Sequence, residues 1–116
     1  LYQPYNALDV VPTLITVLSS PHHYLHEDIA LELQHRRDPR AVDALAAAAL
    51  LKFDYLAFNN SYAFARKCTW ALADIGTTAA REKLRALAQN SDEEIAGYAQ
   101  KRLDNWDDEL SRKRGD

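Results

Sequence analysis

The chain has 116 residues, 47% hydrophobic and 27% charged, the balance of one globular domain long enough to bury a substantial core. A formal charge of −3 argues against a non-specific nucleic-acid binder, and apolar runs such as ALAAAALL (44–51) are far too short to cross a bilayer. Cys68 is the only cysteine, which rules out an internal disulfide and points to a reducing compartment, so the expected location is the cytoplasm.

Three Gly and four Pro among abundant Ala and Leu favour helix throughout, and apolar residues recur at the helical period. The first helix is expected over 5–19. Ser20-Pro21 sets a capping hydroxyl before a proline at the first helical position, which predicts a second helix over 21–36. Asp38-Pro39 repeats the device for a third helix, long enough to reach 57, and Asn59-Asn60-Ser61 makes the turn that follows. A fourth helix over 61–75 ends on Gly76, and Thr77 or Thr78 caps a fifth over 78–90. Ser91 with Glu94 reads as a capping box for a sixth over 92–108. SRKRGD at 111–116 is polar and is expected to fray, leaving a single domain over 1–110.

Sliding the chain by 39 residues places Leu25, Ile29 and Leu33 on Phe64, Cys68 and Leu72, and Ala41, Leu45 and Ala49 on Ala80, Leu84 and Ala88. A further 31 brings Ile95, Ala99 and Leu103 onto the same face. Each unit is an amphipathic helix, a turn and a second helix, the pattern of an α-solenoid. The first unit is longer by residues that fall within 50–62, and such insertions map to one edge of a stack. The helix at 5–19 would cover the open end, and Leu103 and Trp106 would close the other.

WALADIGTTAAREKLRALAQNSDEEIAGYAQKRL (70–103) resembles the HEAT-like repeat family in its short bacterial form, and the resemblance extends over about 20–108. It implies an all-α fold, a short α-solenoid of HEAT-like helical hairpins with about six helices. It says little of function, because this scaffold hosts many tasks.

Six of the chain's aromatic residues fall in LLKFDYLAFNNSYAFARKCTWALADIG (50–76). Phe64 holds a position that is apolar in every unit and is expected in the core, while Trp70, aligned with Leu31, straddles core and surface. Asp54, Tyr55, Phe58, Asn59, Asn60 and Tyr62 do not fit the repeating core face. They read either as a contact edge of tyrosines among short polar residues or as local packing. The second helices carry Arg40, Asp43, Arg81, Glu82 and Arg85 outward, a mixed charge that suits an opposing protein better than a phosphate backbone.

Chemistry is hard to find. His22 and His26 in SPHHYLHED stand four apart, a spacing that can place two imidazoles on one metal, but a third and fourth ligand would have to come from Asp28 or a distant residue. They read as solvated histidines near a helix start, with no metal and no cofactor. Deoxyhypusine hydroxylase repeats its His-Glu pair from unit to unit; here His26-Glu27 is matched by Ala65-Arg66 and Ala96-Gly97. Cys68 takes a core position and is expected to act as a small hydrophobe.

The reading is therefore a non-catalytic module that binds another protein, with no nucleic acid and no membrane. PHHYLHEDIALEL, RDPRAVDAL, RKCTWALADIGT and IAGYAQKRLDNW resemble small bacterial HEAT-repeat proteins suspected to be immunity proteins of polymorphic toxin systems. That resemblance implies a toxin domain as partner, with Asp54, Tyr55, Asn59, Asn60, Tyr62, Arg81 and Arg85 as contacts. The alternatives are a generic scaffold or regulator, or a tetrapyrrole-binding protein similar to phycobilin lyases, holding its ligand near Tyr55 and Trp70 with His22 or His26 on a propionate.

Overall fold

The computed structural model describes residues 9–52 and 62–108. Its helices are α1 (Val11–Leu18), α2 (His26–Arg36), α3 (Val42–Ala48), α4 (Tyr62–Ile75), α5 (Thr78–Leu87) and α6 (Glu93–Asp104), with a 3-10 turn at Pro39–Ala41 leading into α3. No strand occurs among the described residues. Helix α4 packs on both α2 and α6, while α3 packs on α1 and α5. The result is two layers, α2–α4–α6 and α1–α3–α5, joined as antiparallel hairpins over a shared core. Helix α1 lies against α2 and α3, the place of a second helix from an incomplete unit.

The repeating face is inside, as its periodicity requires. Ile29, Leu33, Leu45, Phe64, Cys68, Leu72, Leu84, Ile95 and Ala99 are all buried, and Trp106 closes the far end beside the half-buried Leu103. Several punctuation marks also act as expected. Gly76 adopts φ 71°, the left-handed conformation that ends α4. The Thr77 hydroxyl accepts from the Ala80 amide at 3.1 Å and starts α5. The Asp38 carboxylate accepts from the Arg40 amide at 2.9 Å and starts the 3-10 turn.

Four boundaries differ from the sequence reading. Helix α1 begins at Val11, with Asp9 and Val10 outside it, where a helix over 5–19 is expected; residues 5–8 of that expectation lie outside the described residues. Ser91 is not the cap of α6; Asp92 is, its Oδ1 accepting from the amides of Glu94 and Ile95. Helix α3 stops at Ala48, and Leu50 and Leu51 are exposed past its end, so the helix expected to run to 57 has already ended. The part of that expectation beyond 52 lies outside the described residues.

The largest difference is at the start of α2. Residues 20–25 form a turn instead of helix, and α2 begins at His26. The Leu25 amide donates to His23 Nδ1 at 3.0 Å, so His23 carries its proton on Nε2 and donates it to the Val17 carbonyl in the last turn of α1. His26 Nε2 donates to the Ser20 carbonyl, and its ring stacks on His23 with centroids 4.1 Å apart. With the helix starting there, His26, Ile29, Ala30 and Leu33 form the inward stripe. Leu25 is left 56% exposed while His26 is wholly buried, with an edge-on contact to Phe64. The expectation of solvated histidines fails for His26, and the four-residue helical spacing to His22 does not exist because His22 precedes the helix. Burial of His26 lowers its pKa from the usual 6.5, because the charged form is desolvated, and the neighbouring His23 adds to the effect while the Ser20 carbonyl opposes it.

Candidate interaction surface

Asp54, Tyr55, Asn59 and Asn60 lie outside the described residues. The structure separates the remaining three proposed contacts. Tyr62 opens α4 and donates its hydroxyl to Asp92 Oδ2 at 3.0 Å, so it clasps the starts of α4 and α6 together. Lys52 adds to that clasp, 3.7 Å from the same carboxylate oxygen and 5.5 Å from the centre of the Tyr62 ring. Desolvation alone would push the Asp92 carboxyl up, but the Tyr62 hydroxyl, two backbone amides and Lys52 outweigh it and hold the group below the usual carboxylate range. The same hydrogen bond raises the Tyr62 phenol.

Arg81 and Arg85 sit elsewhere, on α5. Arg81 lies over the Trp106 ring at 5.4 Å, and Arg85 is exposed with Nη1 2.8 Å from Glu82. With Gln100, Leu103 and Asp104 of α6 they line a shallow groove of about 410 Å³. Along α6, the eight to twelve residues from Asp92 to Gln100 and Asp104 put about 12–18 Å between this groove and the Tyr62 clasp. Tyr62 therefore does not share a patch with the two arginines.

A larger groove, about 670 Å³, crosses the other layer where α2, α4 and α6 meet. Helix α4 contributes Arg66, Lys67 and Trp70, and α6 contributes Tyr98, Lys101 and Arg102. Leu31 and Gln34 of α2 form the remaining wall, and Leu31 is 41% exposed. The guanidinium carbon of Arg102 stands 3.5 Å from the centre of the Trp70 ring, although Arg102 is only 4% exposed. A guanidinium removed from water needs compensation, and the negative face of an indole supplies it. The contact also fixes Trp70 as a rigid platform.

Polar groups at this groove's edges are engaged. Gln34 Nε2 donates to Asp74 Oδ2 at 2.8 Å, and the Tyr98 hydroxyl donates to Glu94 Oε2 at 3.1 Å. Burial and the Glu94 bond together raise the Tyr98 phenol. The cations differ. Arg36, Arg40, Lys52, Lys83 and Arg85 each stand within ion-pair distance of a carboxylate. Among the described residues, Arg66, Lys67 and Lys101 make no such pair. Two aromatic rings and a cluster of uncompensated positive charge suit an anionic partner with some apolar surface.

Sequence reasoning missed this groove, though a signal existed. The 39-residue shift that aligns Leu31 with Trp70 and the further 31 to Lys101 put all three at one repeat position, just beside the core stripe. Cys68 offers no chemistry to it: the thiol is wholly buried, and desolvation pushes its pKa up.

Residues 64–90 match the family model of the PBS lyase HEAT-like repeat. That span takes in all but the first two residues of α4, the Gly76 turn and α5, one complete hairpin. No curated protein and no solved structure matches the chain. The two-layered stack with this recognised hairpin at its centre is an all-α HEAT-like helical repeat fold. Among the described residues, no helix is long and apolar enough to cross a membrane.

Proposed function

Proceeding from a HEAT-like stack with open grooves on both layers, we propose that this chain is a cytoplasmic, non-catalytic module that binds another protein. The reading is supported by one observation above others. Helices sharing a single core frame broad open grooves among the described residues, and such surfaces suit macromolecular partners. Its narrower form follows the resemblance to suspected immunity proteins: the chain binds a bacterial toxin domain and blocks it. Asp54, Tyr55, Asn59, Asn60 and Tyr62, with Arg81 and Arg85 on α5, are the proposed contacts. Co-purification with the product of an adjacent toxin gene tests this form, together with the Tyr55→Ala/Tyr62→Ala double variant. Loss of binding is expected, and unchanged affinity removes both tyrosines from the interface.

A second reading, non-covalent tetrapyrrole binding, has the name of the matched repeat in its favour. Trp70 and Tyr98 offer ring stacking and the nearby cations suit propionates, but His26 is buried against Ser20 and is not available for that role. A visible absorbance band that survives gel filtration after incubation with bilin would favour it over protein binding.

A further inference from the structure

We propose that the α2–α4–α6 groove is a docking site for an acidic protein segment that also carries an aromatic or aliphatic side chain. This rests on the protein-binding reading and supplies it with a surface and a partner chemistry. The charge distribution carries the argument. In a chain of net charge −3, Arg66, Lys67, Lys101 and Arg102 converge on one groove. The charges of Arg66, Lys67 and Lys101 repel one another, whereas Arg40, Lys83 and Arg85 on the opposite layer are matched to carboxylates and Arg81 there lies over Trp106. Arg102 is held under Trp70, which leaves Arg66, Lys67 and Lys101 to meet an incoming anion.

Between these cations, the half-buried rings of Trp70 and Tyr98 and the exposed side chain of Leu31 provide apolar contact. Trp70 is already fixed by Arg102, so little side-chain entropy remains to be lost on binding. Helices pack 8–10 Å apart, so three of them span roughly 20 Å, about six residues of extended peptide. A segment of that length finds its carboxylates over the cations and one hydrophobic side chain over the indole. A nucleic acid fits less well. Its backbone would continue past the groove across a surface whose net charge is negative, with repulsion opposing the local attraction.

The test uses the full chain and three fluorescein-labelled probes: a Glu-rich peptide with one Phe, the matching Lys-rich peptide, and oligodeoxythymidine. Anisotropy should show binding of the Glu-rich peptide, with a change in tryptophan emission and weakening as salt rises. Lys67→Glu/Lys101→Glu should reduce that affinity by at least about tenfold, with Lys83→Glu on the opposite layer as the control. If charge reversal disturbs folding, Lys67→Gln/Lys101→Gln provides the same comparison in milder form. Equal affinity for the Lys-rich peptide, tighter binding of the oligonucleotide, or a folded double variant with unchanged affinity would each overturn the proposal. A natural protein partner that binds the double variant normally sinks the groove and leaves the module reading intact. Failure of every candidate protein to bind the unaltered chain sinks the module reading, while the peptide comparison still decides the groove.

Discussion

On the layer built from α1, α3 and α5, Arg40, Lys83 and Arg85 meet carboxylates, while Arg81 lies over the Trp106 ring. Arg40 bridges Asp9 and Asp38 at 2.8 and 2.7 Å, and Lys83 of α5 reaches Asp43 of α3 at 3.6 Å. Hydrogen bonds to Arg40 hold both the Asp9 and Asp38 carboxyls below their ordinary range. Across the core, α4 and α6 place Arg66, Lys67 and Lys101 beside aromatic rings with no carboxylate paired to them among the described residues. The same stack thus uses charge in two ways. One layer pairs Arg40 and Lys83 with carboxylates that fix a turn or join neighbouring helices; the other pairs Arg36 with Glu32 but leaves Arg66, Lys67 and Lys101 facing outward, where they do little for folding.

Five substitutions sharpen or break that contrast. Phe64→Ala has the largest expected effect. The ring is wholly buried at the first turn of α4, the helix packed between α2 and α6, and its loss should cost about 3–5 kcal/mol in urea unfolding. Both layers should melt together in one transition; two separated transitions would show that they do not share a core. His26→Leu comes next, at about 1–3 kcal/mol, because the Ser20 carbonyl loses its donor. Its signature is in pH. Since the folded His26 pKa lies below 6.5, the unfolded chain takes up the proton first. The contribution of neutral His26 is complete above that value and declines as pH falls below it toward the folded pKa. Thermal melts from neutral pH to mild acid should therefore show a steeper decline for the native chain than for His26→Leu; parallel declines would contradict the buried junction.

Gly97→Ala acts in the opposite direction. Nothing lies within 4 Å of the added methyl group, on a helix exposed to solvent there, so replacing glycine should stabilise by about 1 kcal/mol. A rise in Tm of roughly 4–8 °C would be the measurement. The smallest effects compare the layers directly. Lys67→Glu should change stability by no more than about 0.5 kcal/mol, since no internal partner is lost. Lys83→Glu brings a like charge to Asp43 and should cost up to about 1 kcal/mol, a loss that shrinks in high salt. Equal salt-sensitive losses in both variants would erase the distinction between the layers.

Much of the fold was legible because helix periodicity and local caps are short-range properties. Thr77, Gly76 and Asp38 act through atoms a few residues away, and their chemistry is written in adjacent letters. The start of α2 was not legible by that logic. Ser20-Pro21 has the form of a helix start, yet the turn is set by His23 and His26 bonding back to carbonyls six residues earlier, across two elements. Polar side chains that satisfy themselves inside a core look like surface residues in a one-dimensional reading. A similar ambiguity moved the cap of α6 by one position, because Ser91 and Asp92 are both good capping residues and only the backbone path chooses between them. The proposed contacts dispersed for another reason. Tyr62, Arg81 and Arg85 each looked outward on its own helix, but the antiparallel hairpins send them to different ends of α6. The basic groove escaped notice because its cations come from separate helices and never form a run in the chain.

The burial of Cys68 has a practical consequence. With the only native thiol sealed at the centre of α4, a cysteine placed on the surface becomes the single fast-reacting sulfur, and a probe can be attached there without first removing the native one. The sealed thiol itself keeps time for the molecule: its modification by a disulfide reagent must wait for the middle helix to open, so the reaction rate reads how often the interior is laid bare.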